Sequence, residues 1–204
     1  MCSSDLINFE YDSAGRTTRE VLEDGSSAIT YAYQTVGNLV TQTTVTDPLG
    51  RQTEYRFNGQ GYVIRITDAT GRVTSQTLDP ATHLVQSITD PAGRITKYTY
   101  DAKAKVTQVT DPLGQITRIE YDPTWNKPSK ITDALGNLTT LAYGTKGRLI
   151  QSTDPTGATR SIAYTAQGLP STLTDPLGRI SSLAWDGEGN LIAATDPLGN
   201  TSRR

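Results

Sequence analysis

The sequence predicts an all-β protein: antiparallel β-hairpin repeats of about 21 residues forming a curved, spiralling single sheet. Three observations carry this reading. The string Thr-Asp-x-x-Gly occurs eight times at nearly constant spacing. A large apolar residue recurs in phase with it. Hydrophobic residues are only 35% of the 204, against roughly 45–50% apolar in an ordinary globular domain, while Thr occurs 33 times. That is too little apolar matter for a thick two-layer core or a bundle of long helices. Thr, Val, Ile and Tyr favour strands, and a charged fraction of 20% does not suit disorder.

The repeat opens on a turn. Its aspartates are Asp47, Asp68, Asp90, Asp111, Asp133, Asp154, Asp175 and Asp196, at steps of 21, 22, 21, 22, 21, 21 and 21. Six of the turns read Asp-Pro-x-Gly, with Pro48, Pro91, Pro112, Pro155, Pro176 and Pro197. Asp first, Pro presetting φ and Gly fourth suit a type I turn. A first strand follows: Arg94 to Tyr100 alternates polar and apolar residues. It ends seven residues after the turn Gly on Phe57, Leu78, Tyr100, Tyr121, Tyr143, Tyr164 or Trp185.

A second turn comes next, often begun by Asp, as at Asp101, Asp122 and Asp186. It often holds a second Gly that can take positive φ: Gly61, Gly147, Gly168 and Gly189. An apolar run such as Leu149-Ile150 or Leu191-Ile192 makes the second strand, and the chain returns to Thr-Asp. Each repeat is one hairpin. Segments of about seven residues leave no room for crossover helices, so neighbours are antiparallel. Eight repeats give roughly 16 to 18 strands, each about 24 Å long. Open twisted sheets of more than about ten strands curl, hence the expected curvature.

The organisation divides into residues 1–8, 9–46 and 47–204. Regular repeats fill 47–204. Residues 9–46 hold a degenerate copy, with Tyr11-Asp12-Ser13-Ala14-Gly15-Arg16, Asp24-Gly25, Tyr31-Ala32-Tyr33 and Gly37-Asn38-Leu39. Spacing there stretches by two or three residues, which predicts longer loops. Met1-Cys2-Ser3-Ser4-Asp5-Leu6 fits no repeat phase and matches the translated end of a common sequencing adapter, so residues 1–8 read as a foreign start on a fragment. The chain stops inside a repeat without the cap a solenoid needs.

Several functions are poorly served. A net charge of −2 offers nothing to nucleic acid, and no window approaches the roughly 18 apolar residues of a membrane span. One Cys cannot form an intrachain disulfide, and His83 is the only histidine, so neither a catalytic triad nor a zinc set can be assembled. His83 is expected at the surface. The aspartate column offers one carboxylate per hairpin, too few for the six to eight oxygens calcium takes, so each Asp is expected to bond its own turn. The aromatic column is expected to form an apolar stripe, with Tyr98 and Tyr100, or Leu183 and Trp185, on one face. A glycan-stacking platform is the alternative. Arg51, Arg72, Arg94 and Arg179 follow the turn glycines and are expected to pair with nearby aspartates, the alternative being a cavity lining for acidic cargo. No catalytic, cofactor or metal site is expected, and no enzyme activity.

Tyr11-Asp12-Ser13-Ala14-Gly15-Arg16, Trp185-Asp186-Gly187-Glu188-Gly189-Asn190-Leu191 and Tyr143-Gly144-Thr145-Lys146-Gly147-Arg148-Leu149 closely resemble the RHS or YD repeat. The resemblance covers about residues 9–204. It implies a bacterial secreted or cell-surface protein whose repeats wind into a β-shell. In polymorphic toxins and the C component of insecticidal toxin complexes, the shell encapsulates a C-terminal toxin domain; teneurins use a related shell in adhesion. The implied partners are further RHS repeats, the enclosed toxin and a secretion apparatus, with carbohydrate on the adhesion alternative. The family's self-cleaving boundary resembles Asp-Pro-x-Gly-Leu. Here the four Asp-Pro-Leu-Gly turns are followed by Arg51, Gln115, Arg179 and Asn200, so they read as ordinary repeat turns and the cleavage centre as absent.

Overall fold

The computed structural model describes residues 7–22, 25 and 27–203. The foreign-start reading falls largely on residues 1–6, outside the described residues. Contacts group the chain into two compact units, 1–98 and 99–204. The described residues form 19 strands of one sheet whose order is the chain order, as expected from the sequence.

The first unit carries β1 (Ile7–Tyr11), β2 (Thr17–Leu22), β3 (Ala28–Val36), β4 (Leu39–Thr46), β5 (Gln52–Phe57), β6 (Val63–Thr67), β7 (Val73–Leu78), β8 (Val85–Thr89) and most of β9 (Ile95–Tyr100). From β1 to β9 each pairs antiparallel with the next. The second unit carries β10 (Val106–Thr110), β11 (Ile116–Tyr121), β12 (Pro128–Thr132), β13 (Leu138–Tyr143), β14 (Leu149–Thr153), β15 (Thr159–Tyr164), β16 (Pro170–Thr174), β17 (Ile180–Trp185), β18 (Leu191–Thr195) and β19 (Thr201–Arg203). These too pair antiparallel in sequence. Pro128 and Pro170 each open a strand, where a missing N–H is tolerated.

Most strands are five or six residues, not the expected seven, and so about 17–20 Å long. The turns take the difference. At Asp47, the Gly50 N–H donates to the Asp47 carbonyl and the Asp47 N–H to the Arg51 carbonyl, 2.9 and 3.0 Å. Gly50 has φ +77°. This is a type I turn closed by a left-handed residue, a five-residue loop that shortens the strands on both sides. The 22-residue steps have a local cause. They contain the second turns Asp79–Leu84 and Asp122–Lys127, which close one residue later than the Asp101–Lys105 turn.

The degenerate start departs from expectation. Its extra length lies in strands, not in a longer loop: β3 has nine residues, β4 has eight, and only Gly37 and Asn38 connect them. Runs rich in Thr, Val and Tyr extend the ladder at no steric cost. β1 begins at Ile7, two residues ahead of the expected boundary.

A bulge recurs where the first strand of a hairpin ends. Register shifts precede Phe57, Leu78, Tyr121, Tyr143, Tyr164 and Trp185. Ala142 pairs with Gln151 and Tyr143 with Leu149, leaving Ile150 as the extra residue. Bulges of this kind sharpen local twist and re-aim the adjacent side chain.

Among the described residues no hydrophobic side chain is buried, and Gln42 and Thr43 are the most enclosed polar ones. The low apolar share fits this: the apolar side chains of the described strands are at most half-buried. Alternation is visible in β9 and β17, where Tyr98, Tyr100, Leu183 and Trp185 are half-buried while Lys97, Thr99, Ser182 and Ala184 are exposed or less enclosed.

Three second turns place a non-glycine residue at positive φ: His83 at 60°, Ala104 at 61° and Asn126 at 55°. Alanine there carries a left-handed penalty of about 1–2 kcal/mol, partly offset by the greater unfolded freedom of glycine. Ala104→Gly is expected to stabilise the chain by about 0.5–1 kcal/mol, read as a higher urea midpoint at pH 7. A lower midpoint would count against the turn geometry.

Candidate functional surface

The aspartate column is consumed by its own turns. Asp47 Oδ1 accepts the N–H groups of Leu49 and Arg51, both at 2.9 Å. The same two-N–H pattern holds at Asp90, Asp111, Asp133, Asp175 and Asp196. Oδ2 is taken by the side chain four residues on: Arg51, Arg94 and Arg179 at 2.6 Å, Asn137 and Asn200 at 2.8 Å. At Asp68 and Asp154 a Thr hydroxyl joins on Oδ1 instead, from Thr70 and Thr156. Arg72 contributes its backbone N–H at the Asp68 turn.

These bonds favour the charged form. The Arg51 N–H holds the Asp47 carboxyl below its usual range against opposing desolvation, and the Thr70 hydroxyl is the leading cause of the same shift at Asp68. At Asp47, Asp90, Asp133, Asp175 and Asp196 both carboxylate oxygens are engaged, which leaves little for a cation. Among the described residues no three His, Cys, Asp or Glu side chains converge.

The aromatic column is half-buried, and its members do more than fill an apolar stripe. Their polar tips hook back to the first residue of an earlier strand. Tyr121 Oη donates to the Val106 carbonyl at 2.8 Å, Tyr143 to Pro128 at 2.7 Å and Tyr164 to Leu149 at 2.8 Å. Trp185 Nε1 donates to the Pro170 carbonyl at 2.6 Å, and Tyr33 repeats the hook on Thr17. The acceptor lies 15 residues back in four of the five. Burial raises the Tyr143 hydroxyl above its ordinary range, with the Asp122 charge adding to it.

A cation covers several of these rings. Lys105 Nζ lies 4.8 Å from the Tyr121 centroid, Lys127 Nζ 5.7 Å from Tyr143, the Arg148 guanidinium 5.6 Å from Tyr164 and that of Arg16 4.9 Å from Tyr33. The cation follows the left-handed residue of a second turn, so each rung ties one hairpin to the next. Lys105 and Lys127 also donate to the carbonyls of Asn126 and Gly147 in the following turn, at 2.8 and 2.6 Å. Sequence reasoning missed these rungs. Their signal is a Lys or Arg placed 16 residues before an aromatic, at 105, 127 and 148.

His83 is not the plain surface residue expected. Its ring is half-buried and stacks on Tyr62 at 4.7 Å, and its Nδ1 is enclosed without a hydrogen-bond partner. Tyr62 occupies the position that Lys105 and Lys127 hold later in the chain, so a stacked pair stands here where a cation reaches the next turn elsewhere.

Several shallow cavities lie on the second unit, two of them beside the features above. One, of about 310 Å³, is lined among others by Leu149, Arg160, Ile162, Leu173 and Arg179. The other, of about 330 Å³, lies along the second turns at Gly144 and Thr165.

Comparison with known proteins accords with this geometry. A family model described as RHS Repeat matches residues 11–45, 42–73, 79–116, 121–159 and 164–201, most of the chain. Comparison with the curated proteins finds no match. Among solved structures, the chain is similar to TcdB2-TccC3 without its hypervariable C-terminal region, at 17% identity and TM-score 0.71, covering 93% of this chain and 11% of that one. It is similar to TcdB2-TccC3-TEV at 17% identity and TM-score 0.65, covering 95% and 12%. It is also similar to the Tc holotoxin pore of Photorhabdus luminescens carrying a TccC3 point mutation, at 14% identity and TM-score 0.57, covering 97% and 14%. At these identities the likeness is one of fold, and the chain spans a small part of each structure.

Proposed function

The chain belongs to the RHS repeat family, and on that premise we propose that this structural repeat module is a non-catalytic stretch of wall in a β-shell that encapsulates a toxin domain. The observation that carries this reading is how the polar side chains are used. Turn carboxylates bond their own backbone, aromatic tips bond the preceding hairpin, and cations cover the rings. Such groups hold a single-layered sheet together and leave few for chemistry. Every hairpin joins its neighbours through backbone ladders, so a long run of them makes a wall with few open edges. The fold likeness to TcdB2-TccC3, whose C-terminal region is hypervariable, supports a variable cargo in the whole protein. The setting proposed is a bacterial secreted or surface protein of the polymorphic toxin kind. Its partners would be further repeats, the enclosed domain and an export apparatus.

Covered ring faces weigh against the alternative, an adhesive or glycan-stacking surface, because Lys105, Lys127 and Arg148 sit where a sugar would stack. Limited proteolysis of the full-length protein tests the proposal. A C-terminal non-repeat domain should resist cleavage in the intact protein and be digested once Tyr143→Ala and Trp185→Ala loosen the wall. A domain digested equally in both, or a full-length protein with no such domain, would sink the encapsulation reading.

A further inference from the structure

Two adjacent second turns of the 99–204 unit lack the aspartate of their counterparts. Gly144 and Thr165 stand where Asp101, Asp122 and Asp186 stand in the others. The Asp12 turn shows what that position does when complete. Asp12 Oδ1 accepts the Arg16 N–H at 2.9 Å, and Oδ2 takes Nε and a terminal nitrogen of the guanidinium, both at 2.7 Å. The same guanidinium lies over Tyr33.

Arg148 repeats this arrangement over Tyr164, four residues after Gly144, with the carboxylate missing. Among the described residues no carboxylate lies within ion-pair distance of Arg148 or Lys146. The guanidinium lies on the Tyr164 ring and occupies the space a Cβ at Gly168 would need. The cavity of about 330 Å³ opens here, lined by Lys146, Arg148, Tyr164 and Thr165, with Ile150 and Ile162 as apolar lining.

We propose that this cavity binds a carboxylate supplied from outside the chain, carried on an apolar body that covers Ile150 and Ile162. A guanidinium matches a carboxylate through paired N–H donors, and Ile150 and Ile162 beside it offer an apolar seat for the body of the ligand. Lys146, exposed at the mouth, adds a second positive charge. The carboxylate comes from a small organic acid or from an acidic side chain of a peptide. The site goes beyond the wall role and does not depend on it.

Calorimetric titration of the 204-residue chain tests this, with 3-phenylpropionate and the blocked peptide acetyl-Leu-Glu-Leu-amide as probes. The controls are 3-phenylpropionamide and the Gln peptide. At least one acid should bind saturably, about tenfold or more tighter than its uncharged control. Saturation by the small acid alone assigns the first source, by the peptide alone the second. Binding should weaken about tenfold in Arg148→Gln and in Thr165→Asp. The latter restores a carboxylate in the chain: the Thr165 Oγ1 already accepts the Leu169 N–H, and Gly168 beside it carries the guanidinium. Circular dichroism reports folding; if Arg148→Gln unfolds, Thr165→Asp and Lys146→Ala decide, the latter with about a threefold loss. Acids no tighter than their controls, no saturation up to about 10 mM, or unchanged affinity in the folded variants would overturn the proposal.

Discussion

Replacing Tyr143 with alanine is expected to lower stability by about 2–3 kcal/mol, while Tyr143→Phe loses about 1 kcal/mol. The difference separates the two jobs of the side chain. Phenylalanine keeps the ring on its stripe, and keeps the surface that Lys127 covers at 5.7 Å, but abandons the bond to the Pro128 carbonyl. Alanine also removes the ring and leaves its half-buried place on the stripe unfilled. Tyr143 is half-buried, which places the loss below that of a deep-core aromatic. Urea unfolding of both variants at pH 7 measures the contrast. Equal losses would mean that the hook does the work and the ring little; a negligible loss in both would discard the rung as a stabilising unit. In a repeat array such damage spreads through nearest-neighbour interfaces, so hydrogen exchange should quicken in β12 to β14 before it does in β18.

Acidification below about pH 4 is expected to unfold the chain progressively, through many small contributions of one sign. Asp12, Asp47, Asp68, Asp79, Asp90, Asp101, Asp133, Asp154, Asp175, Asp186 and Asp196 all titrate below their ordinary value of 3.8 in the folded chain. The causes are local. At Asp47, Asp90 and Asp101 the leading one is the backbone N–H four residues on; at Asp133, Asp186 and Asp196 it is an Asn side chain; at Asp175 it is Arg179. A folded value below the unfolded one gives stability that is fully present above 3.8 and is lost as pH falls through the folded value. The urea midpoint should therefore hold steady from about pH 7 to 5 and drop steeply toward pH 2. A midpoint flat to pH 2 would show that the turn bonds do not favour the ionised carboxylate. High salt screens charge–charge attraction, so it should blunt the ion pairs to Arg51, Arg94 and Arg179 and leave the backbone N–H component.

Much of the fold was legible before any coordinate. Thr-Asp-x-x-Gly names a turn because Asp, Pro and Gly act locally, each through its own φ preference or side-chain acceptor, and the structure places left-handed glycines at all eight. Alternation in Arg94–Tyr100 names a strand for the same reason. Local chemistry is silent on strand ends and on contacts between hairpins. Strand ends depend on how many residues the closed turn consumes, so seven became five or six. The added residues of the degenerate start could lengthen loops or strands, and pairing of β3 with β4 decided for strands. His83 looked like a surface residue because nothing adjacent hints at Tyr62, 21 positions earlier.

The sequence by itself determined the all-β class, the hairpin unit, its antiparallel sense and the self-bonded aspartates, because each depends on contacts within about five residues. Only the tertiary structure decided that aromatic tips hook strands 15 residues back, that cations roof those rings, and that Arg148 keeps the pose of Arg16 without its carboxylate. Those contacts join successive hairpins. Their geometry is set by register and bulge, which a one-residue slip would reverse, and no local preference encodes either.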